Sequence, residues 1–241
     1  MQEIFATSSN SNTKVIGFAG SDKYDLIMYL ACILQQMDQK VLLIDLSDAG
    51  ALSEVLQDSE LSQIEITHPC IMDYRGMHYI PRFEHWQLRM DIVSPYLYHE
   101  NQDYNYVLVD FGFQTGHSAL IRCDMMILVS DMQKHNFIRI KSLMEHATNS
   151  HIIVWRDVIA CKIRPMDLLS QEIVQEGNIV ILDFDRNDYM GRIQMQYSKQ
   201  IHLSKVSKGI LVLLAMVVTR LNPAITEDEL STAMVRAKRG R

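Results

Sequence analysis

This sequence is short of several things at once. Its four cysteines, Cys32, Cys70, Cys123 and Cys161, lie far apart with no CxxC pair. That spacing excludes a zinc ribbon and a thioredoxin-like redox motif, and reduced, buried thiols are the reading that remains. The nine histidines are scattered. None sits in HExxH or a Cys/His cluster, so no metal centre is expected. Ser118 and Ser130 lack the context of a nucleophile elbow. The N-terminal stretch MQEIFATSSNSNTK has no apolar core of the signal-peptide kind. The longest apolar run, Gly209–Val218, falls well short of the roughly 20 residues a membrane-spanning helix needs, and reads as a buried helix. Positive charge is in deficit, with 23 Lys+Arg against 29 Asp+Glu and a net charge of −6. Broad nucleic-acid binding is therefore disfavoured. No internal repeat or low-complexity block is visible.

What is present is apolar and rhythmic. Of the 241 residues, 48% are hydrophobic, enough for a sizeable core. KVIGFAG, KVLLIDLSD, YNYVLVDFG, MMILVSD, HIIVWRDV and NIVILDFD are short apolar runs, several closing in aspartate. Between them lie YDLIMYLACILQQM, ALSEVLQ and NFIRIKSLMEHAT, with apolar residues at helical spacing. Continuous apolar strands separated by helices predict an α/β fold: three layers, a mostly parallel sheet with helices on both faces. The stretch from Asp58 to Asp103 departs from this rhythm. Its two extended runs around DYRG predict a hairpin or edge-strand pair. FEHWQLRMDIVSPYLY predicts a helix broken near Pro95. Further on, YMGRIQMQY has helical spacing. Thr226 predicts an N-cap, followed by a helix with acid at its start and base at its end.

Open parallel sheets bind ligands at the carboxyl ends of their strands. Three polar sites fall there: the turn Gly20–Tyr24, Asp45 and Asp110. The turn precedes a helix, where phosphates sit in nucleotide-binding folds. A working phosphate loop wants several glycines and a lysine followed by Ser or Thr. This one offers Gly20, Ser21, Asp22, Lys23 and Tyr24. The alternative readings are plainer: Lys23 as a solvated turn residue, and the two aspartates as strand-end acids that cap neighbouring loops. Trp86 and Trp155 read as core or interface aromatics.

The order KVIGFAG, LACILQQMDQKVLLIDLSDAGALS, YNYVLVDFG and MMILVSD resembles the MinD/ParA family of deviant Walker ATPases, over roughly residues 14–205. That family has a loop KGGxGK[ST], a helix containing LA, a strand ending LLIDxD, and then YDYVIVDxG. Leu30-Ala31, Val41–Asp45 and Tyr106–Gly112 carry the match. The resemblance implies a nucleotide site at Gly20, Ser21, Asp22, Lys23, Tyr24, Asp45 and Asp110. It puts Lys23 on the family's second lysine, Tyr24 on its Mg²⁺-binding Ser/Thr, and Phe18 near its first lysine, the one that crosses the family's dimer. A degenerate site is implied, with ATP and Mg²⁺ as cofactors on one reading and none on the other.

Within the superfamily the style is most similar to the TadZ/CpaE branch, whose members act in positioning pilus or secretion machinery. The reading that follows is a cytoplasmic, non-catalytic or weakly nucleotide-binding scaffold or localisation factor. Its partners would be proteins of a larger assembly, with a homodimer open. Residues 1–13 are expected to be a flexible leader, 14–225 a single ParA/MinD-like domain, and 226–241 a C-terminal helix with a basic tail. That tail leaves weak membrane-surface contact open, with no transmembrane segment. Two alternatives stand: an active ATP-dependent switch, and a DNA-associated partition-like module.

Overall fold

The computed structural model describes residues 13–56, 71–82, 86–98, 100, 103–114, 120, 122–146, 150–163 and 178–240. Residues 1–12 of the expected leader, Cys70 and Ser118 lie outside these residues, as does the Trp86 side chain; Thr13, counted in that leader, is buried, with its hydroxyl donating to the Tyr104 carbonyl at 2.7 Å.

The elements run β1 (Lys14–Gly20), α1 (Tyr24–Gln35), β2 (Val41–Asp45), α2 (Ala51–Leu56), β3 (Met72–Tyr74), β4 (Met77–Ile80), α3 (Trp86–Leu97), β5 (Tyr106–Asp110), β6 (Met125–Ser130), α4 (Lys134–His146), β7 (His151–Val158), β8 (Ile179–Asp183), α5 (Arg186–Ser198), α6 (Lys208–Leu221) and α7 (Glu227–Arg239). The eight strands form one sheet in the order β3-β4-β2-β5-β1-β6-β7-β8. Every pairing is parallel except β3 with β4.

Strand side chains alternate between two cores, which is why the runs are apolar throughout rather than every second residue. Ile16, Phe18, Leu108, Ile127 and Val129 face a core that also holds buried residues of α1, α2, α6 and α7. Val15, Ala19, Val107, Val109 and Leu128 face the opposite core, with residues of α3 and α4. Helix α1 sits deep in the first core, with ten of its twelve residues buried.

The DYRG hairpin forms as its sequence predicts. Arg75 and Gly76 take φ of 54° and 81°, the double left-handed turn that suits a two-residue hairpin loop. The expected break at Pro95 does not occur. Helix α3 runs through it to Leu97, because the proline removes only its own N–H bond to the Asp91 carbonyl and the residues after it still close the turn. Tyr98 and Glu100 still donate their N–H groups to the carbonyls of Ser94 and Pro95. Among the cysteines, Cys123 is buried and Cys32 half-buried, but Cys161 is exposed in the loop after β7, against the expectation of buried thiols.

Thr226 caps α7 in a reciprocal capping box with Glu229. The apolar side of α7, Leu230, Ala233 and Ala237, is spent on the core with α1. Among the described residues, no helix is long and apolar enough to cross a membrane.

Candidate functional site

Strands β1, β2, β5 and β6 end side by side, and a cleft of about 340 Å³ opens over their carboxyl ends. The turn 20–24 forms one wall, the segments after β2 and β5 another, and Asp131, Asn136 and Arg139 a third. Asp45 and Asp110 are direct register partners on the adjacent strands β2 and β5. All seven residues singled out from the sequence are thus gathered in one region, but their side chains do different things.

Lys23 is no solvated turn residue. Its Nζ lies 2.7 Å from Asp110 Oδ1, and the two side chains are only 5% and 3% exposed. Nζ also donates to the carbonyl of Gly20 at 3.1 Å. The same Asp110 oxygen accepts the Gly112 N–H at 2.8 Å. The Gly20 N–H in turn donates to the Gly112 carbonyl at 2.6 Å. These four bonds close a ring that fastens the turn to the end of β5. Burial raises the Asp110 pKa; Lys23 pulls it back down, and the neighbouring Asp45 pushes it up again.

Gly20 is required by the fold. Its φ is +113°, and a Cβ there would lie 1.9 Å from the Val129 carbonyl oxygen. That carbonyl accepts the Ser21 N–H at 2.8 Å. Two of the turn's N–H groups are therefore turned to neighbouring carbonyls rather than into the cleft. Ser21 lines the cleft, and its buried Oγ has no hydrogen-bond partner among the described residues. Asp22 is exposed at the mouth.

Asp45 is saturated. Its Oδ1 accepts from the N–H and hydroxyl of Ser47, and its Oδ2 from the N–H and hydroxyl of Ser53, all at 2.6–2.9 Å. It organises the loop into α2 and holds that helix's first turn, the capping reading of the sequence.

Tyr24 turns away from the cleft. Its ring is buried in the α1 core, and its hydroxyl donates to the Arg192 carbonyl on α5 at 3.0 Å. Burial, reinforced by Asp25 and Asp22, pushes the phenol well above its usual pKa, so it stays neutral. Phe18 is likewise an interior strand residue, 1% exposed.

As placed, these groups do not fit a magnesium ion. Asp110 is engaged by Lys23, Asp45 has four donors, and the Tyr24 hydroxyl points to α5. Among the described residues, no group of three or more His, Cys, Asp or Glu could hold a metal.

The sequence reading missed a second charged cluster. Arg156 of β7 grips Asp25 in the first turn of α1 with two parallel hydrogen bonds, and also donates to the Asp22 carbonyl. Asp157 follows with φ +56° at a register shift in the β7–β8 pairing, and its carboxylate takes Arg192 of α5 at 2.8 Å. The available signal was an Arg-Asp pair placed inside an apolar strand run. On the opposite wall of the cleft, Arg139 stacks on the Phe113 ring at 4.3 Å.

No protein-family profile and no curated protein matches the chain. Solved structures do. The MinD cell division protein of Aquifex aeolicus is similar at TM-score 0.55 and 15% identity, covering 95% of this chain and 98% of that one. Cobyrinic acid a,c-diamide synthase of Mycobacterium smegmatis, with bound ADP and magnesium, gives 0.51 and 16%, covering 78% and 92%. A plasmid partition protein of Borrelia burgdorferi gives 0.51 and 16%, covering 80% and 100%. The chain therefore has the α/β fold of the MinD/ParA-type P-loop proteins, and at such identities the likeness is one of fold.

Proposed function

We propose that this chain is a non-catalytic or weakly nucleotide-binding protein of MinD/ParA-like fold. It acts in the cytoplasm as a scaffold or localisation factor for a larger protein assembly, of the kind that positions pilus or secretion machinery. The observation that carries this reading is the buried ion pair between Lys23 and Asp110. Phosphoryl transfer depends on a free cation at the phosphates, a metal-holding hydroxyl and a converging set of backbone N–H groups. Here the lysine faces a carboxylate, the residue after it is a core tyrosine, and the Gly20 and Ser21 amides donate to Gly112 and Val129. Asp22 adds a negative charge at the mouth, which repels a polyphosphate. The site serves as architecture that holds the end of β5 to the start of α1. The assembly reading comes from the sequence resemblance to the TadZ/CpaE branch.

Two observations favour a second reading, an ATP-dependent switch. The synthase of similar fold holds ADP and magnesium, and Lys23 stands at the N-terminus of α1 with no side-chain cap beside it. Calorimetry with Mg-ATP and a phosphate-release assay separate the two. The expected result is no phosphate release above background. Sustained release that Lys23→Ala abolishes would establish the switch and overturn the scaffold reading.

A further inference from the structure

Two features along one border of the sheet have no neighbour. The first is β8, the last strand in the order, which among the described residues pairs only with β7. The Asn178 carbonyl accepts the Ile153 N–H, and the Phe184 N–H donates to the Val158 carbonyl. Backbone groups of successive strand residues point to opposite sides. The even-numbered residues of β8 therefore bond to β7, and Ile179, Ile181 and Asp183 turn their N–H and C=O groups to the open side. A bare edge is a template for another strand, and chains usually blunt it with lysine, proline or shortness. The opposite edge is blunted: β3 has three residues, with Asp73 exposed at its centre. Strand β8 reads IVILD, with neither lysine nor proline, and its central Ile181 is 44% exposed.

The second feature is α6, apolar without a break from Ile210 to Val218. Ile210, Leu213, Leu214, Val217, Val218 and Leu221 are buried in the core. Val212, Ala215, Met216 and Thr219 form a second stripe at helical spacing, with Val212 57% exposed and Ala215 and Met216 half-buried. A helix apolar all round belongs in an interior. Helix α6 lies along β8 and runs the opposite way. Gly209 at its start stands against Leu182, and Arg220 near its end donates to the Asn178 side chain at 2.8 Å.

We infer that this border is a dimer interface whose occupant is a second copy of this chain, added strand to strand at β8. The pairing is antiparallel, about a two-fold axis through Ile181. A two-fold contact is made by the same patch on both copies, so the patch has to complement itself. This one does. Ile181 meets its own counterpart, and Ile179 meets the second copy's Asp183, so no charge stands opposite a like charge. Asp183 is exposed and makes no ion pair among the described residues. The pairing brings it to the end of the second copy's β8, where Arg220 is held by Asn178. The two α6 helices approach each other on one face of the joined sheet, which covers Val212 and Met216. A second copy thus supplies both the strand and the apolar helix that the border lacks. The cleft over β1, β2, β5 and β6 takes no part, so the dimer is independent of nucleotide and of the scaffold reading.

Sedimentation equilibrium without nucleotide, on the wild-type chain and on Ile181→Lys, is the test. The wild type is expected at twice the 27.8 kDa of one chain at micromolar concentration. Ile181→Lys sets two ammonium groups against each other on the axis and raises the dissociation constant at least about 10-fold. Its thermal midpoint in dilute solution stays that of the wild type, because the position is exposed. A wild type that remains monomeric overturns the proposal, and so does a dimer that Ile181→Lys leaves intact or that assembles only with Mg-ATP. Should Ile181→Lys fail to fold, amide hydrogen exchange of the wild type decides. The Ile179 and Ile181 N–H groups exchange more slowly as protein concentration rises; rates that do not change with concentration overturn it.

Discussion

Arg156 on β7 and Asp25 in the first turn of α1 meet as two flat groups, joined by parallel hydrogen bonds of 2.9 and 2.8 Å. The contact spans 131 residues of sequence and is almost wholly buried. A buried pair of this geometry resists loss of one partner far more than loss of both. Arg156→Met alone leaves the Asp25 carboxylate uncompensated and should cost about 3–5 kcal/mol. Arg156→Met with Asp25→Leu should cost clearly less than that. Urea unfolding of the two variants checks it, and a double variant weaker than the single one would contradict it.

The same pair sets a pH dependence. Burial alone would raise the Asp25 pKa, but Arg156 outweighs it and holds the carboxyl below its usual value of 3.8. The folded state then binds fewer protons there than the unfolded chain does. The stabilisation is fully present above the unfolded pKa and is lost as the pH falls through the lowered one. Asp110 has the opposite sign, since burial raises its pKa. Its contribution is full at low pH and fades as the pH rises through the raised value. Comparing the wild type with the Arg156→Met/Asp25→Leu variant cancels Asp110. The wild-type urea midpoint should drop more steeply than the variant's below about pH 4. Parallel acid limbs would rule out Asp25 as their source.

Gly20 tolerates nothing larger. Its backbone conformation is one that side-chain-bearing residues rarely adopt, and the new Cβ would meet a carbonyl oxygen rather than a movable side chain. Gly20→Ala should destabilise by about 3 kcal/mol or more. A variant with an unchanged thermal midpoint would show that the turn can move away from β6.

Tyr24 stands where the family resemblance puts a small hydroxyl, which invites its restoration. The structure argues otherwise, because the ring is part of the α1 core and tethers α5. Tyr24→Thr should cost about 3–5 kcal/mol, the range for emptying a buried aromatic site. Tyr24→Phe should cost only about 1 kcal/mol, for the lost bond to Arg192. Denaturant titration of both separates ring from hydroxyl. Similar losses in the two would place the stabilisation in the bond instead.

Most of the parallel strands were legible because each is a continuous apolar run, several of them closing in aspartate. That Asp45 and Asp110 close strands of one sheet followed from two such runs; their direct register came only with the structure. The hairpin was legible because a two-residue loop with Gly76 has few conformations open to it. The division of labour in the site was not. Lys23 and Asp110 are far apart in sequence, and nothing in local periodicity says that a lysine will turn back on a strand-end acid. Asp45 was ambiguous for the same reason: its saturation depends on Ser47 and Ser53, hydroxyls that carry no motif. Pro95 misled because a proline removes only its own N–H from the helix ladder, and neighbouring bonds can hold the turn. The direction of Tyr24 was invisible, since a residue following a loop lysine can face either the cleft or the core.

The place of β1 in the sheet has a consequence for how the chain comes to be folded. This strand precedes β5 and β6 in the chain, yet it lies between them in the sheet. Its Val15 N–H is held by Asp124, 109 residues further on. Loop closure over such spans slows folding and prolongs exposure of unpaired apolar strand. During synthesis β1 has to wait, apolar on both faces, until β6 has emerged and Val129 can receive the Ser21 N–H. The turn at residues 20–24 is thus made well before β6 but takes its shape only with it. A chain stalled before β5 would present a bare β1 to chaperones rather than a partly built site.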